Sequence, residues 1–430
     1  MFTKNNLKKI IFKISPSGTV WISCRSIMKF FSKYISYYKI FTHHSRVMQC
    51  KQLLLADKRA NPNKKTMLLI TNQILDPTSF KVTYGGGERY LSELLSLFSE
   101  LGFLVSILQA NSVSSLGIHT FSGSRVLCVP ADLNNNGFFI GLNKLAFELA
   151  SAVDYTVYFL PEVCAPKVTS NSLLISHGIW FDHANYTHIT YRTHKWWKLL
   201  KIAFTAPEHC VSVDTNTIGF VRSLWPEHAA KWHYLPNFYD PKQFNPVHKS
   251  NVRQKLTILF PRRAQVNRGV WLFDDIVKNI SHDVEICWIG KGDQISESEI
   301  QRVCNADKRC IFSGTDFNGM SAYYQQADIV VIPTIACEGT SLSLIEALAC
   351  GCAVVTTHVG GLADIALDGF NCLVADPNAQ SIAECINRLI NDETLRLNIA
   401  SNAYKSVYGL SLQHWRERWC NILRQINWID

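Results

Sequence analysis

Two carboxylates stand close together in an apolar stretch of the chain. Glu338 and Glu346 are eight residues apart in "IACEGTSLSLIEALACGCAVVTT", residues 335–357, which contains no basic residue. Burying an unpaired charge is costly, and a core helix does not need one. Carboxylate oxygens accept hydrogen bonds well from neighbouring hydroxyl groups. The pair therefore indicates a site for a hydroxyl-rich ligand, with two half-exposed helix charges as the alternative.

A strand, a loop and a helix are predicted to hold the two carboxylates. "ADIVVIPT" is typical of a buried strand, and "SLSLIEALACG" of a helix with Thr340 or Ser341 as N-cap and Gly351 after its last turn. Glu338 and Gly339 then lie in the loop at the carboxyl end of a parallel strand. Open α/β sheets bind their ligands at this end.

The start of the same helix is predicted to bind an anion. The free N–H groups of Thr340, Ser341 and Leu342 form such a site, and the helix dipole adds about half a positive charge. A phosphate there would repel a carboxylate, so we expect Glu338 to face a neutral, hydroxyl-rich part of the ligand. Glu346 lies ~7.5 Å further along the helix axis and would meet another part. A nucleotide sugar offers sugar hydroxyls, a diphosphate and ribose hydroxyls in that order.

Alternating strands and helices predict two α/β domains. "TMLLITNQI", "TYGGGERYLSELLSLFSELG" and "FLVSILQA" are typical of a strand, a glycine loop with a helix, and a second strand, which together form a βαβ unit. The pattern restarts at "KLTILFPRRAQVNRGVWLFDDIVKNI". We expect doubly wound domains at residues 66–248 and 249–410. A last helix with three Trp, residues 411–430, could fold back to the N-terminal domain.

Positive charge is concentrated in residues 1–65. This basic extension contains 14 Lys and Arg and one acid, Asp57, whereas the whole chain carries a net charge of +9, so the remainder carries −4. Within the extension, residues 27–41 show a helical pattern with Ile, Phe and Tyr on one side and Lys on the other. Such a helix suits an anionic membrane surface or packs on the protein's own body. No nucleic-acid-binding motif accompanies it.

Cysteine spacing and hydropathy exclude several classes of protein. The 14 Cys are scattered without a CxxC pair, and no run of 18 apolar residues occurs. The cysteine spacing argues against a zinc site and a disulfide framework. The hydropathy argues against a membrane-spanning helix. We therefore expect a cytoplasmic protein, peripheral at the inner face of the membrane if the basic extension binds there.

Several segments resemble one enzyme family. "CEGTSLSLIEALACG" resembles the E-x7-E signature of the retaining glycosyltransferase family 4, whose GT-B fold has two Rossmann-like domains facing a central cleft. Further family landmarks recur in the same order as "GGGER", "SHGIW", "YLPNFYDPKQF", "RRAQVNRG" and "GGLADIALDGFNCLV". The resemblance covers residues 66–410 and leaves the basic extension out.

The resemblance implies how the donor would be held. Glu338 would hold hydroxyl groups of the donor sugar, and Glu346 would hold the ribose. Arg263 would bind the diphosphate with Arg268, which stands where the family usually has Lys, and Arg262 is an additional cation beside them. Both Arg and Lys carry the required charge, although Arg binds phosphate as a fork.

The resemblance also assigns residues in the N-terminal domain. Backbone amides of Gly85 and Gly86 would approach the donor phosphate or the acceptor, and His177 would lie beside the reacting centre. The acceptor is expected in the loops of this domain, where Trp196 and Trp197 could stack on sugar rings, pack in the core or contact a membrane.

Four positions, in three segments, depart from the family pattern. Thr340 and Ser341 replace a common aromatic residue and a Gly, so the donor-sugar pocket is expected to differ. Asp364 replaces the usual Glu, a change we expect to be harmless. Cys372 stands where Gly is frequent, which alters the expectation for a local turn.

The motifs favour transfer chemistry without a metal. No DxD motif occurs in the chain, so we expect no metal and no cofactor. Arginines and the helix N-terminus would instead stabilise the leaving diphosphate. No carboxylate is obviously placed as a nucleophile. Retention would therefore require attack from the face on which the leaving group departs.

The favoured function is transfer of a sugar from a nucleotide-sugar donor to a glycan or lipid-linked glycan, in surface polysaccharide biosynthesis. One alternative is a catalytically silent GT-B partner that binds a glycan or an active subunit. Another is a nucleotide-sugar epimerase or sugar phosphorylase of the same fold. The intact set of acidic, basic and His residues argues against the silent partner, and the form of the E-x7-E segment argues against an epimerase.

Overall fold

The computed structural model describes residues 44–82, 85–112, 116–131, 137–182, 193–246, 255–280, 282–314 and 317–430. Met1–Pro62 and Asn63–Asp430 are two compact units. In the first unit, residues 44–60 are helical (α1), and the Asn61 amide donates to the Asp57 carbonyl at 3.1 Å. The predicted amphipathic helix at residues 27–41 lies outside the described residues.

The second unit begins with an eight-stranded sheet. Its strands are β1 Lys65–Thr71, β2 Phe103–Asn111, β3 Gly117–Phe121, β4 Ser124–Pro130, β5 Tyr155–Tyr158, β6 Ser172–Ser176, β7 His209–Ser212 and β8 Trp232–Tyr234. Its main helices are α2 Gly86–Glu100, α3 Ile140–Leu149, α4 His194–Thr205 and α5 Thr215–Leu224. The spatial order is β3-β4-β2-β1-β5-β6-β7-β8, and only β3 pairs antiparallel among the described strands. The central strands are apolar because helices cover both faces of a parallel sheet.

A six-stranded parallel sheet follows in the C-terminal half. Its strands are β9 Thr257–Phe260, β10 Glu285–Ile289, β11 Cys310–Ser313, β12 Ile329–Ile332, β13 Ala353–Thr357 and β14 Leu373–Ala375. Its helices are α6 Phe273–Lys278, α7 Gln294–Ala306, α8 Phe317–Gln326, α9 Leu342–Ala349, α10 Ala379–Asn391 and α11 Glu393–Ser406. The order β11-β10-β9-β12-β13-β14 is that of a doubly wound sheet.

The last helix, α12 Leu412–Gln425, packs on the N-terminal sheet. The Trp415 ring lies 5.0 Å from the Tyr90 ring of α2, and the Trp419 ring lies 6.2 Å from Phe98. Lys65 at the start of β1 donates its Nζ to the Trp428 carbonyl at 2.7 Å. The tryptophans of α12 are therefore part of the N-terminal core, although they follow the C-terminal sheet in the chain.

The two Rossmann-like sheets confirm the predicted architecture. The individual domain boundaries stay predictions, and the one near residue 248 lies outside the described residues. In the described part of the chain, no helix is both long enough and apolar enough to cross a bilayer.

The loops at the carboxyl ends of four strands position the candidate site. The glycine loop follows β1, and His177 follows β6 in the N-terminal domain. The arginines follow β9, and Glu338 follows β12 in the C-terminal domain. Parallel strands bring these loops to one edge of each sheet, where doubly wound folds place their ligands.

Candidate active site

Glu338 and Glu346 are held by the loop and the helix that follow β12. Ser341 is the N-cap residue of α9, with extended backbone at φ −70° and ψ 119°. Its hydroxyl does not cap the helix but accepts from Arg262 Nη1 at 3.1 Å. The absence of a side-chain cap on α9 is compatible with the predicted anion site at Thr340, Ser341 and Leu342.

Two arginines hold the Glu338 carboxylate inside the protein. Arg262 and Arg268 both donate to Glu338 Oε2, and Thr334 Oγ1 donates to the same atom at 3.2 Å. The Glu338 side chain is only 10% exposed. Its Oε2 atom thus faces two guanidinium groups, and the role of Glu338 towards hydroxyl groups of the donor sugar stays a prediction. A buried carboxylate needs such partners to offset its desolvation.

The electrostatics of this cluster keep Glu338 charged. Burial by itself raises the pKa of the Glu338 carboxyl, but Arg262 and Arg268 lower it by more, so the pKa lies below its ordinary value. Glu338 is therefore ionised at neutral pH. It orients the two guanidinium groups at the start of α9.

Arg263 faces the glycine loop of the N-terminal domain instead of Glu338. It is exposed, and its Nη2 atom would lie 2.2 Å from a Cβ atom at Gly85. A Cβ atom at Gly86 would lie 3.0 Å from Leu342 Cδ1, so the start of α2 touches the start of α9. A side chain at Gly85 would displace the exposed end of Arg263, so the glycine lets the guanidinium group lie against the loop.

Glu346 forms an ion pair with a residue of the opposite domain. Arg89 Nη1 lies 2.5 Å from Glu346 Oε1, and the two side chains are 17% and 5% exposed. Arg89 is in the first turn of α2, and its guanidinium carbon lies 5.8 Å from the centroid of the Phe238 ring. The buried Tyr324 hydroxyl lies beside Glu346, and burial together with this carboxylate raises the pKa of Tyr324. The alternative of a half-exposed helix charge is wrong for Glu346.

His177 lies at the carboxyl end of β6 among aromatic rings. Its imidazole is 4.9 Å from the Tyr90 ring and 4.5 Å from the Phe159 ring. Burial lowers its pKa to about 4, so the ring is neutral at physiological pH. Within the part of the chain that the structure describes, Nε2 has no hydrogen-bond partner. The His177 ring is therefore neutral and has a buried nitrogen that no described residue binds.

Three contacts between the domains had no signal in the sequence. The Cys337 amide donates to Asp182 Oδ1 at 3.0 Å, and Asn237 Nδ2 donates to the Thr340 carbonyl. The Thr215 amide donates to Asp364 Oδ2 at 2.8 Å, and its hydroxyl donates to Oδ1. The departure at Asp364 thus supplies a contact to the N-terminal domain. Each pair is far apart in the chain, so only the folded structure identifies it.

The two neighbouring tryptophans of α4 have different environments. Trp196 is 2% exposed and its ring lies 5.0 Å from Phe181, so it is a core residue. Trp197 is 41% exposed. Of the three alternatives left open for these tryptophans, packing in the core holds for Trp196, because helix periodicity turns this side chain inwards.

Comparisons with known proteins show what this chain is similar to. Residues 255–392 match the family model "Glycosyl transferases group 1". The matched range contains Arg262, Arg263, Arg268 and both carboxylates. An uncharacterized glycosyltransferase of Methanocaldococcus jannaschii is 23% identical over 78% of this chain and 93% of its own length. The C-terminal half of the chain is therefore similar to group 1 glycosyltransferases, and the two sheets together have the GT-B fold.

Two further similarities extend the comparison. The lipopolysaccharide 1,2-N-acetylglucosaminetransferase of Salmonella typhimurium is 25% identical over 49% of this chain and 61% of its own length. The crystal structure of Anabaena HepE in complex with UDP superposes with a TM-score of 0.64 at 15% identity, over 84% of this chain and 100% of that one. Among the described residues, no group of three His, Cys, Asp or Glu side chains is arranged to hold a metal ion.

Proposed function

We propose that this glycosyltransferase moves a sugar from a nucleotide-sugar donor to a glycan or lipid-linked glycan, with retention and without a metal. The observation that carries the proposal is the cluster of Glu338 with Arg262 and Arg268 at the start of α9, with Arg263 beside the glycine loop. A buried carboxylate that fixes two cations beside a helix N-terminus without a side-chain cap suits a polyanionic ligand. The binding of UDP by HepE, a protein of the same fold, supports a nucleotide as that ligand.

The charges in the cleft suit a leaving diphosphate. Four arginines and three glutamates lie around the facing starts of α2 and α9, namely Arg89, Arg262, Arg263, Arg268, Glu88, Glu338 and Glu346. The diphosphate would lie against the first amides of α9, at Thr340, Ser341 and Leu342, where the helix dipole adds to this charge. Gly85 and Gly86 would let the opposite backbone approach it, and the loop at Gly339 would face the donor sugar.

In the proposed reaction the bond between the anomeric carbon and the β-phosphate oxygen breaks, and the acceptor oxygen bonds to the same carbon. The acceptor approaches from the face on which the diphosphate departs, and the leaving phosphate oxygen takes the acceptor proton. Glu338 then acts by holding Arg268 and the donor sugar rather than as a nucleophile. The neutral His177 ring would hydrogen-bond a hydroxyl group at the reacting centre.

Metal independence follows from the same cluster and has a direct test. Preorganised guanidinium groups and amides supply the stabilisation that a divalent cation supplies elsewhere. Transfer should therefore continue unchanged after dialysis against EDTA. A loss of transfer that added Mg²⁺ or Mn²⁺ restores would refute this part of the proposal.

The exposed face of α4 supports an acceptor at a membrane surface. His194, Lys195, Trp197, Lys198 and Lys201 are exposed on this helix, which contains no acidic residue. Basic side chains with an aromatic ring suit an anionic lipid surface. This face would place the enzyme at the inner side of the membrane. The lipopolysaccharide relative supports surface polysaccharide biosynthesis as its setting.

The first test is thermal unfolding with UDP, GDP, dTDP and their sugars. A ligand at about 100 times its dissociation constant adds ~2.7 kcal/mol to the free energy of unfolding. One nucleotide should stabilise the wild type and not Arg263→Ala. Arg302→Ala, at an exposed arginine of α7, is the matched control and should keep the effect. No stabilisation of a folded wild type by any nucleotide would favour the silent-partner alternative.

A further inference from the structure

The ion pair between Arg89 and Glu346 occupies an atom that the proposed function needs. It joins the first turn of α2 in the N-terminal domain to the second turn of α9 in the C-terminal domain. The inference below rests on the proposed function and on the prediction from the family resemblance that Glu346 holds the donor ribose. It concerns how that carboxylate becomes available.

Packing fixes Arg89 at this place. The contact between Gly86 and Leu342 sets the distance between the two helix starts, and the Phe238 ring lies under the guanidinium group at 5.8 Å. Both partners of the ion pair are largely shielded from water, at 17% and 5% exposure. A contact of this kind is not an incidental surface ion pair, because surface pairs are solvated and loosely held.

Arg89 and a ribose compete for the same oxygen. The two neighbouring hydroxyl groups of a ribose are best accepted by both oxygens of one carboxylate. Arg89 already donates to Glu346 Oε1. Glu346 is 4% exposed and the buried Tyr324 hydroxyl lies beside it, so the carboxylate has little room to turn towards a second partner.

We propose that Arg89 is a positioning residue that holds Glu346 until a ribonucleotide takes its place. The ribose 2′- and 3′-hydroxyl groups replace the guanidinium at Glu346, so donor binding and release of this contact between the domains are one event. The exchange makes donor affinity depend on the strength of the Arg89 contact. It also makes the enzyme distinguish ribose from 2′-deoxyribose.

The test measures nucleotide affinity by isothermal titration calorimetry. UDP and GDP are each compared with dUDP and dGDP, using the wild type, Arg89→Ala and Arg416→Ala. The last variant is the matched control, because Arg416 forms an ion pair with Glu100 at the other end of α2, away from the cleft. Arg89→Gln, which keeps most of the side-chain volume, replaces Arg89→Ala if that variant does not fold.

The expected result is specific to the 2′-hydroxyl group. Arg89→Ala should bind the preferred ribonucleotide about fivefold more tightly or better, the lower end of common coupling factors between linked events. Its affinity for the 2′-deoxy form should match that of the wild type, and Arg416→Ala should behave as wild type with both. Replacing a residue that only stabilises the fold would not change the ratio of the affinities for the ribonucleotide and its 2′-deoxy form.

Two failures are distinguishable. If the wild type binds a ribonucleotide and Arg89→Ala binds it equally or less tightly, the exchange is wrong while the proposed function stands. If the wild type binds no nucleotide, or binds dTDP alone, the exchange is also wrong, because no ribose diol is accepted at Glu346. Only the absence of all nucleotide binding also removes the proposed function.

Discussion

Gly339 lies directly against the backbone of His177: a Cβ atom at position 339 would be 2.4 Å from the His177 carbonyl oxygen. The same atom would be 2.7 Å from Val213 Cγ2. Gly339 follows Glu338 in the C-terminal domain, whereas His177 directly follows β6 of the N-terminal domain. This backbone contact therefore sets the distance between the two residues proposed to act at the reacting centre.

Gly339→Ala should separate these residues and impair transfer. The added methyl group meets a carbonyl oxygen on a rigid strand end, so the loop or the domain contact must shift, at a cost of about 1–3 kcal/mol. We expect transfer to fall at least tenfold, with nucleotide binding less affected. The measurement is the initial rate of sugar transfer beside the nucleotide dissociation constant.

The matched control for this variant is Gly219→Ala. Gly219 lies within α5, and a Cβ atom there would meet nothing within 4 Å. Alanine favours helices, so this variant should be as stable as the wild type or slightly more so. Equal activity of the two glycine variants would show that the contact between Gly339 and His177 does not matter.

Replacing Glu338 should cost stability as well as activity. Glu338→Gln leaves Arg262 and Arg268 without their anion in a buried site, and breaking such a pair costs about 3–5 kcal/mol. Urea unfolding of Glu338→Gln and of Asp274→Asn measures the difference. Asp274 pairs with exposed Arg302, so that control should lose no more than about 1 kcal/mol. A Glu338 variant as stable as the control would show that the arginines do not depend on Glu338.

The sequence predicts features that depend on local pattern. The strand before Glu338, the helix that holds Glu346 and the alternation of the two sheets follow from hydrophobic spacing and glycine positions, and the structure shows them. The ion pair of Arg89 with Glu346 joins residues 257 apart in the chain. No local pattern distinguishes Arg89 from any other arginine that starts a helix.

The same limit applies to side chains of one type. Trp196 and Trp197 are adjacent, and only the packing of α4 decides that the first is buried and the second is exposed. Arg262 and Arg263 are also adjacent, yet the first binds Glu338 and the second faces the glycine loop. Family resemblance favoured Arg263 as the main cation, and the role of Arg262 required the three-dimensional arrangement.

Glu162 should make stability fall as the pH rises. It follows β5, burial raises the pKa of its carboxyl to about 7, and Oε2 has no partner within the described residues. Between pH 4.5 and 7 the folded state binds more protons than the unfolded state, so the stability contributed by the neutral form is lost in this range. Glu162→Gln should therefore be more stable than the wild type at pH 8. The difference should shrink towards pH 4.5 in urea unfolding, and a constant difference would contradict the assignment.

His177 should have the opposite pH dependence. Its pKa is lowered to about 4 by burial, whereas an unfolded His titrates near ~6.5. Between these values the unfolded state binds more protons, so stability is complete above pH 6.5 and declines as the pH falls towards 4, by about 3 kcal/mol in all. In His177→Gln this decline should be absent. His228→Gln, at the surface, is the control and should keep it.

The neutral His177 ring also predicts how the transfer rate depends on pH. Because the ring stays neutral from pH 5 upwards, the transfer rate of the wild type should show no step from this residue between pH 5 and 8. His177→Gln should lose transfer and keep nucleotide binding. A step near pH 6.5 that disappears in His177→Gln would mean that the ring is protonated during the reaction and that its role is acid–base rather than neutral hydrogen bonding.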